Sequence, residues 1–107
     1  MLEGPPFACL EKIEGRWTLH ILLCLNRGEQ RFSDLRTAIP GISANVLTDR
    51  IRALQAAGLV ECRFLPPRAA RHLYALGPGA QGLKPAFDAL TSWQAEKLSH
   101  HCRRRPA

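Results

Sequence analysis

Phe32-Ser33-Asp34-Leu35-Arg36-Thr37-Ala38-Ile39-Pro40-Gly41-Ile42-Ser43-Ala44-Asn45-Val46-Leu47-Thr48-Asp49-Arg50-Ile51 decides how this chain folds. Pro40-Gly41 stands at its centre, a pair that stops a helix and turns the chain tightly. Upstream, Leu35, Ala38 and Ile39 lie at helical spacing behind Ser33, which predicts a short helix with Ser33 as N-cap. Downstream, Ser43 is the next N-cap. Leu47, Ile51 and Leu54 then recur on one face of a helix that reaches about Ala57, before Gly58. Two short helices joined by a Pro-Gly turn outline a helix-turn-helix.

Beyond Gly58 the period changes. Leu59-Val60-Glu61-Cys62-Arg63-Phe64-Leu65 alternates, with Val60, Cys62 and Phe64 on one side. Arg71-His72-Leu73-Tyr74-Ala75-Leu76 alternates again after the turn Pro66-Pro67-Arg68-Ala69-Ala70, so the pair predicts a β-hairpin. Gly77-Pro78 opens a last helix, with proline at its first position and Leu83, Phe87, Leu90 and Trp93 along an apolar stripe. On the N-terminal side, a first helix is expected from about Pro6 to Glu14, ended by Gly15. A second runs from Trp17 to Arg27, with Gly28 at its C-cap. Leu19, Ile21, Leu22, Leu23 and Leu25 surround most of that second helix, which marks it as the buried central one. The fold class is mainly α with a small β-hairpin wing (α+β), a winged helix-turn-helix. Residues 1–100 form a single domain with helices at both ends, and 101–107 a disordered basic tail.

A chain of 107 residues has room for one core. Fifteen Lys and Arg against nine Asp and Glu leave a net charge of +6, which favours a polyanionic partner. No apolar run approaches the roughly 18 residues of a membrane span; the longest, Leu19 to Leu25, is broken by His20. The N-terminus has no basic and apolar signal pattern, so the expected location is cytoplasmic. None of Cys9, Cys24, Cys62 and Cys102 forms a Cys-x-x-Cys pair. His100-His101-Cys102 crowds three ligand types at a chain end, a poor cage, and neither metal nor cofactor is expected. There is no glycine-rich phosphate loop, nucleophile elbow or clustered carboxylate pair, so an enzyme is not expected.

The helix after Pro40-Gly41 carries the chemistry. With Leu47 at the centre of its buried face and about 100° per residue, Asn45, Thr48, Asp49 and Arg52 fall on the far side. Asn pairs bidentately with adenine, Arg with guanine, and Asp accepts from cytosine. Ala44 is small enough to let the helix start approach a backbone, and Ser43 as N-cap leaves N–H groups aimed at a phosphate. Arg31 and Arg50 complete the DNA-binding set on this motif. On the wing, Arg68 and Arg71 supply cations with no acid beside them, suited to a phosphate backbone or a narrow minor groove. The expected partner is double-stranded DNA. A winged helix used only for protein contact is the alternative, and the basic wing with a polar recognition helix disfavours it. No inducer pocket is legible, so a small-molecule signal stays open.

Together these residues resemble a known family. Cys9-Leu10, Ile13-Glu14-Gly15-Arg16-Trp17, Ile21-Leu22, Leu25, Gly28 and Arg31-Phe32-Ser33-Asp34-Leu35 are similar to the start of HxlR-type bacterial transcriptional regulators. Ile39-Pro40-Gly41-Ile42-Ser43, Leu47-Thr48, Ile51-Arg52, Leu54 and Gly58-Leu59-Val60 continue the likeness, as do Pro66-Pro67, Tyr74-Ala75-Leu76, Leu83 and Trp93. Departures fall at Gly77, where the family has Thr, at His72-Leu73 on the wing, and at Ala44 and Asn45, where it often has basic or bulky residues. The resemblance implies a homodimer on a pseudo-palindromic operator, joined through its first and last helices by Phe7, Leu10, Phe87, Leu90 and Trp93; the alternative for Phe87, Leu90 and Trp93 is that they fold back on the chain's own core. It also implies that Cys9, aligned with a sensing cysteine at the start of the first helix, responds to oxidants or electrophiles. A helix starting near Pro6 would place Cys9 in its first turn, where the macrodipole favours a thiolate. Lys12 would help and Glu11 oppose. The plainer expectation is that Cys9 packs in the core, inert through burial. Cys24 is expected to be inert, Cys62 in the core, and Cys102 exposed.

Overall fold

A computed structural model of the chain describes residues 8–64 and 72–103. Its helices are α1 (Thr18–Asn26), α2 (Phe32–Ala38), α3 (Ala44–Ala56) and α4 (Lys84–Arg103), and strands β1 (Val60–Phe64) and β2 (His72–Leu76) lie between α3 and α4. This is a mainly helical winged helix-turn-helix, as its sequence implies. One cluster holds it together. Ile21, Leu22 and Leu25 of α1 meet Leu35 and Ile39, then Leu47, Ile51 and Leu54 of α3, Val60 and Leu76 of the hairpin, and Phe87 of α4.

The expected helix from Pro6 to Glu14 is replaced, among the described residues, by a 3-10 turn at Leu10–Ile13 that contains no buried residue. One turn with little surface to bury does not offset the entropy of nucleating an α-helix. The chain then makes two left-handed residues, Gly15 (φ +102°) and Trp17 (φ +79°). Trp17 is held there by its neighbours: the Arg16 guanidinium sits 4.6 Å over its ring, and the His20 ring meets it edge-on at 5.1 Å. Thr18 is buried and its hydroxyl donates to the Glu14 carbonyl at 3.0 Å. Helix α1 is not buried all round. Leu19 and His20 are exposed, and Leu23 and Cys24 are only partly covered.

Helix α2 begins two residues earlier than an N-cap at Ser33 predicts. Arg31 is its N-cap, and the Arg31 backbone N–H donates to Asp34 Oδ2 at 3.0 Å. The carboxylate three residues in thus satisfies a group at the helix entrance, and Ser33 lies inside the first turn. Gly41 turns the chain at φ +89°. Ser43 then caps α3 as expected, its Oγ accepting from the Val46 N–H at 3.1 Å.

The strands pair antiparallel, Val60 opposite Leu76, Cys62 opposite Tyr74 and Phe64 opposite His72. Gln30 docks the wing onto the body. Its N–H donates to the Tyr74 carbonyl at 3.0 Å and its carbonyl accepts from the Tyr74 N–H at 2.8 Å. Its side-chain Nε2 donates to the Cys24 carbonyl at 2.7 Å. Arg63 on β1 adds ion pairs to Glu29 and Glu61. The hairpin turn, with Arg68 and Arg71, lies outside the described residues.

The last helix does not start at Pro78. Pro78–Leu83 is a 3-10 segment, and the α-helix begins at Lys84, with Pro85 in its first turn. Gly79 and Gly82 lower the helix propensity of the earlier stretch, and its entrance packs against another loop. Gly77 donates to Leu59 O at 2.8 Å and Gly79 to Gly58 O at 2.9 Å. A Cβ at Gly77 would lie 2.6 Å from Gly58 O, and one at Gly79 2.7 Å. Glycine at 77 is therefore a requirement of this backbone approach. Helix α4 continues through Arg103, beyond the boundary expected at residue 100; residues 104–107 lie outside the described set.

Candidate nucleic-acid interface

Helix α3 has the two-sided character that reading DNA demands. Leu47, Ile51 and Leu54 are buried, while Asn45, Asp49 and Arg52 opposite them are exposed and Thr48 is partly so. Ser43 uses its Oγ on its own helix, and Ala44 beside it is half-buried at the helix start. The helix-turn-helix holds this face by rigid packing, since Leu35 and Ile39 enter the same core as Leu47.

Arg50 does not belong with the reading face. It sits about 60° from Leu47 on the helix, and its Nε donates to the Arg16 carbonyl at 2.9 Å. The guanidinium thereby ties α3 to the tight turn before α1. Arg31 is exposed at the start of α2, its Nε 3.8 Å from Asp34 Oδ2, a loose surface ion pair. The sequence places Tyr74 on the second strand and in the family resemblance, with no role of its own. It packs against the core with its phenol pushed above the ordinary range by burial, while Cys62 raises it further and the Arg52 charge opposes. That influence puts the wing root within electrostatic reach of the recognition helix. The strand register that pairs Tyr74 with Cys62 sets this position, and it is decided by the structure.

A second surface lies on α4 and α1. Phe87 is only 1% exposed and fills the chain's own core, so it has no surface to offer a partner and leaves the expected interface set. Leu90 (37% exposed), Trp93 (56%) and Leu98 (58%) remain open on α4, with Leu19 exposed on α1. Leu10 is exposed on the N-terminal turn, and Phe7 lies outside the described residues. Leu19 and Leu98 were missed from the sequence. Leu98, eleven residues after Phe87, lies about 20° from its angular position, and that spacing was the available signal.

Among the cysteines, Cys9 is exposed, not packed in the core, and it precedes a 3-10 turn rather than opening an α-helix. The macrodipole expected to act on it has no helix to come from. Cys24 is partly buried and its thiol is pushed up by desolvation, with Arg27 partly opposing. Cys62 is partly buried and raised by desolvation. No group of three His, Cys, Asp or Glu side chains is placed to hold a metal among the described residues. No helix there is long and apolar enough to cross a membrane.

The family model for the HxlR-like helix-turn-helix matches residues 12–102. The chain belongs to that family. It is 32% identical over 81 residues to the HTH-type transcriptional regulator YvaP of Bacillus subtilis, covering 76% of this chain and 75% of that protein. The crystal structure of the HTH-type transcriptional regulator ytcD superposes with a TM-score of 0.74 at 29% identity, over 91% of this chain and 99% of that one. The redox regulator HypR in its reduced form superposes with a TM-score of 0.67 at 27% identity, over 81% and 86% of the two chains. This HxlR-type protein is therefore a DNA-binding transcriptional regulator of the helix-turn-helix type, and not an enzyme.

Proposed function

We propose that this regulator acts in the cytoplasm as a homodimer on a pseudo-palindromic operator, reading bases with Asn45, Thr48, Asp49 and Arg52. The observation that carries the reading is the single polar, exposed face of α3 set directly opposite a face sunk in the core. Arg31, and Arg68 and Arg71 in the segment between the strands, supply phosphate contacts that set affinity without sequence preference. Dimerisation is supported by Leu90, Trp93 and Leu98, which together expose more apolar surface on one helix than a lone chain keeps in water. Two recognition helices then meet half-sites about one helical turn, roughly 34 Å, apart. Selection of bound sequences from random duplex DNA, with light scattering of the free protein, tests this. A two-fold symmetric consensus and a dimer mass are expected; a monomer that retains no sequence at low salt would overturn it.

A second reading, thiol control, is favoured by the exposure of Cys9 and by the likeness to HypR, itself a redox regulator. Oxidation at Cys9 would change the N-terminal segment that packs beside α3 and so shift operator binding. Diamide titration of wild type and Cys9→Ser tests it. Loss of operator binding in wild type alone is the expected result, and equal binding by fully modified wild type would end this reading.

A further inference from the structure

Trp17 is the only non-glycine residue with a positive φ among the described residues. A bulky side chain stays in that region only where its surroundings hold it. Besides Arg16 and His20, the turn between α2 and α3 takes part. The far edge of the indole, Cη2, lies 3.8 Å from where a Cβ on Gly41 would stand. The Trp17 carbonyl meanwhile starts α1, accepting from the Ile21 N–H at 3.0 Å. The residue is thus pinned at both ends.

This strained backbone has one visible result. The Arg16 carbonyl belongs to the rigid peptide that joins Arg16 to Trp17, so its direction follows the φ of Trp17. With α1 held fixed, an ordinary helical φ of about −63° would turn that peptide plane through roughly 140°. The carbonyl would then leave Arg50, whose Nε donates to it at 2.9 Å. Arg50 is half-buried on the flank of α3, between the core stripe and the polar face. Apolar packing is non-directional and lets a helix roll or slide by small amounts; a hydrogen bond to a fixed carbonyl resists both. A roll of about 10° moves a side-chain tip, roughly 5–6 Å from the helix axis, by about 1 Å. That exceeds the spread of hydrogen-bond distances, so it misplaces a base contact. We propose that Trp17 and Arg50 are positioning residues for base recognition. Left-handed Trp17 presents the Arg16 carbonyl, and Arg50, by holding it, sets the roll of α3 and so the aim of Asn45, Thr48, Asp49 and Arg52. This assignment rests on the reading face given to α3 above.

The test uses the full-length reduced protein, the duplex it selects from random sequence, and an unrelated duplex of equal length. Arg50→Met keeps the aliphatic stem and removes the donor; Trp17→Ala removes the indole that holds the left-handed backbone. In both variants the preference for the selected duplex is expected to fall about tenfold or more, the share of one good base pairing. Affinity for the unrelated duplex and its salt slope are expected to match wild type. In wild type the Arg50 Nε–H is expected to exchange with water more slowly than that of exposed Arg52, and Trp17→Ala is expected to abolish the difference. A salt slope shallower by about 0.9 in Arg50→Met would assign that guanidinium to a phosphate and overturn the proposal. So would unchanged preference in Arg50→Met while Asn45→Ala loses it. Failure to select any sequence, or unchanged preference in both Asn45→Ala and Arg52→Ala, would remove the reading face itself and this proposal with it. Circular dichroism and urea midpoints verify the fold of each variant. Should Arg50→Met or Trp17→Ala not fold, wild type decides alone: an Arg50 Nε–H as labile as that of Arg52 overturns the assignment.

Discussion

At the scale of single residues, local geometry decides which substitutions matter. Gly77 has an ordinary negative φ of −83°, so no left-handed backbone demands glycine there. The demand comes from the Gly58 carbonyl, 2.6 Å from where a Cβ would be. Backbone cannot swing aside as a side chain can. Gly77→Ala is expected to destabilise by about 1–3 kcal/mol, the usual cost of overpacking, read as a lower midpoint in urea. Exposed Arg52 and Asn45 should behave differently. Substituting either by alanine is expected to leave the urea midpoint within about 0.5 kcal/mol. Operator discrimination should instead fall by about 1–3 kcal/mol for each bidentate base pairing removed, measured by competition binding. The thiols define a pH dependence. Burial raises Cys24 and Cys62 in the folded state, so the native protein holds these protons more tightly than the unfolded chain. Their contribution to stability is full below the unfolded thiol pKa, about 8.5, and is lost as pH rises through the folded values. Urea midpoints in reductant are expected to fall on the alkaline side. Cys24→Ala/Cys62→Ala should show a shallower fall.

At the scale of elements, α3 is the unit that must be held still. Its start is secured by the Ser43 cap and its side by Arg50 reaching the Arg16 carbonyl. Ser43→Ala leaves the Val46 N–H without its side-chain acceptor and is expected to cost about 1 kcal/mol. Thermal melts check that value. Ser43→Asp, which restores an acceptor and suits the helix dipole, is expected to recover stability but weaken DNA binding by placing a negative charge beside the phosphates. The hairpin is held just as specifically. Two strands alone are marginal, and the Gln30 bridge to Tyr74 supplies a short third partner on the free side of β2. That bridge fixes where the wing emerges relative to α3.

At the scale of the whole molecule, the chain carries two surfaces of opposite character. One is polar and built around α3. The other is apolar and runs along α4, where Phe87 has entered the core while Trp93 and Leu98 stay more than half exposed. Trp93→Glu/Leu98→Glu places two charges on that second surface without touching the core. Sedimentation is expected to show a shift from dimer to monomer, with operator affinity falling at least tenfold and the circular dichroism spectrum unchanged. With a net charge of +6, binding should weaken steeply with salt, by a logarithmic slope of about −0.9 for each phosphate neutralised.

Local sequence patterns set the winged helix-turn-helix order, the Ser43 cap, the buried stripe of Leu47, Ile51 and Leu54, and the polar face opposite. Each is set by neighbours within a few residues: a proline-glycine stop, a capping hydroxyl, a helical or alternating period. Tertiary structure alone decided the rest. Arg50 left the reading face because Arg16, 34 positions away, offered a carbonyl. Phe87 left the expected interface because it enters the shared core where α4 packs against α1. The last helix started at Lys84 because two glycines upstream pack against the Gly58 carbonyl. Local patterns state which face of an element is apolar. Which apolar residues are covered, and by what, depends on packing between segments far apart in the chain, and no periodicity within one element encodes that.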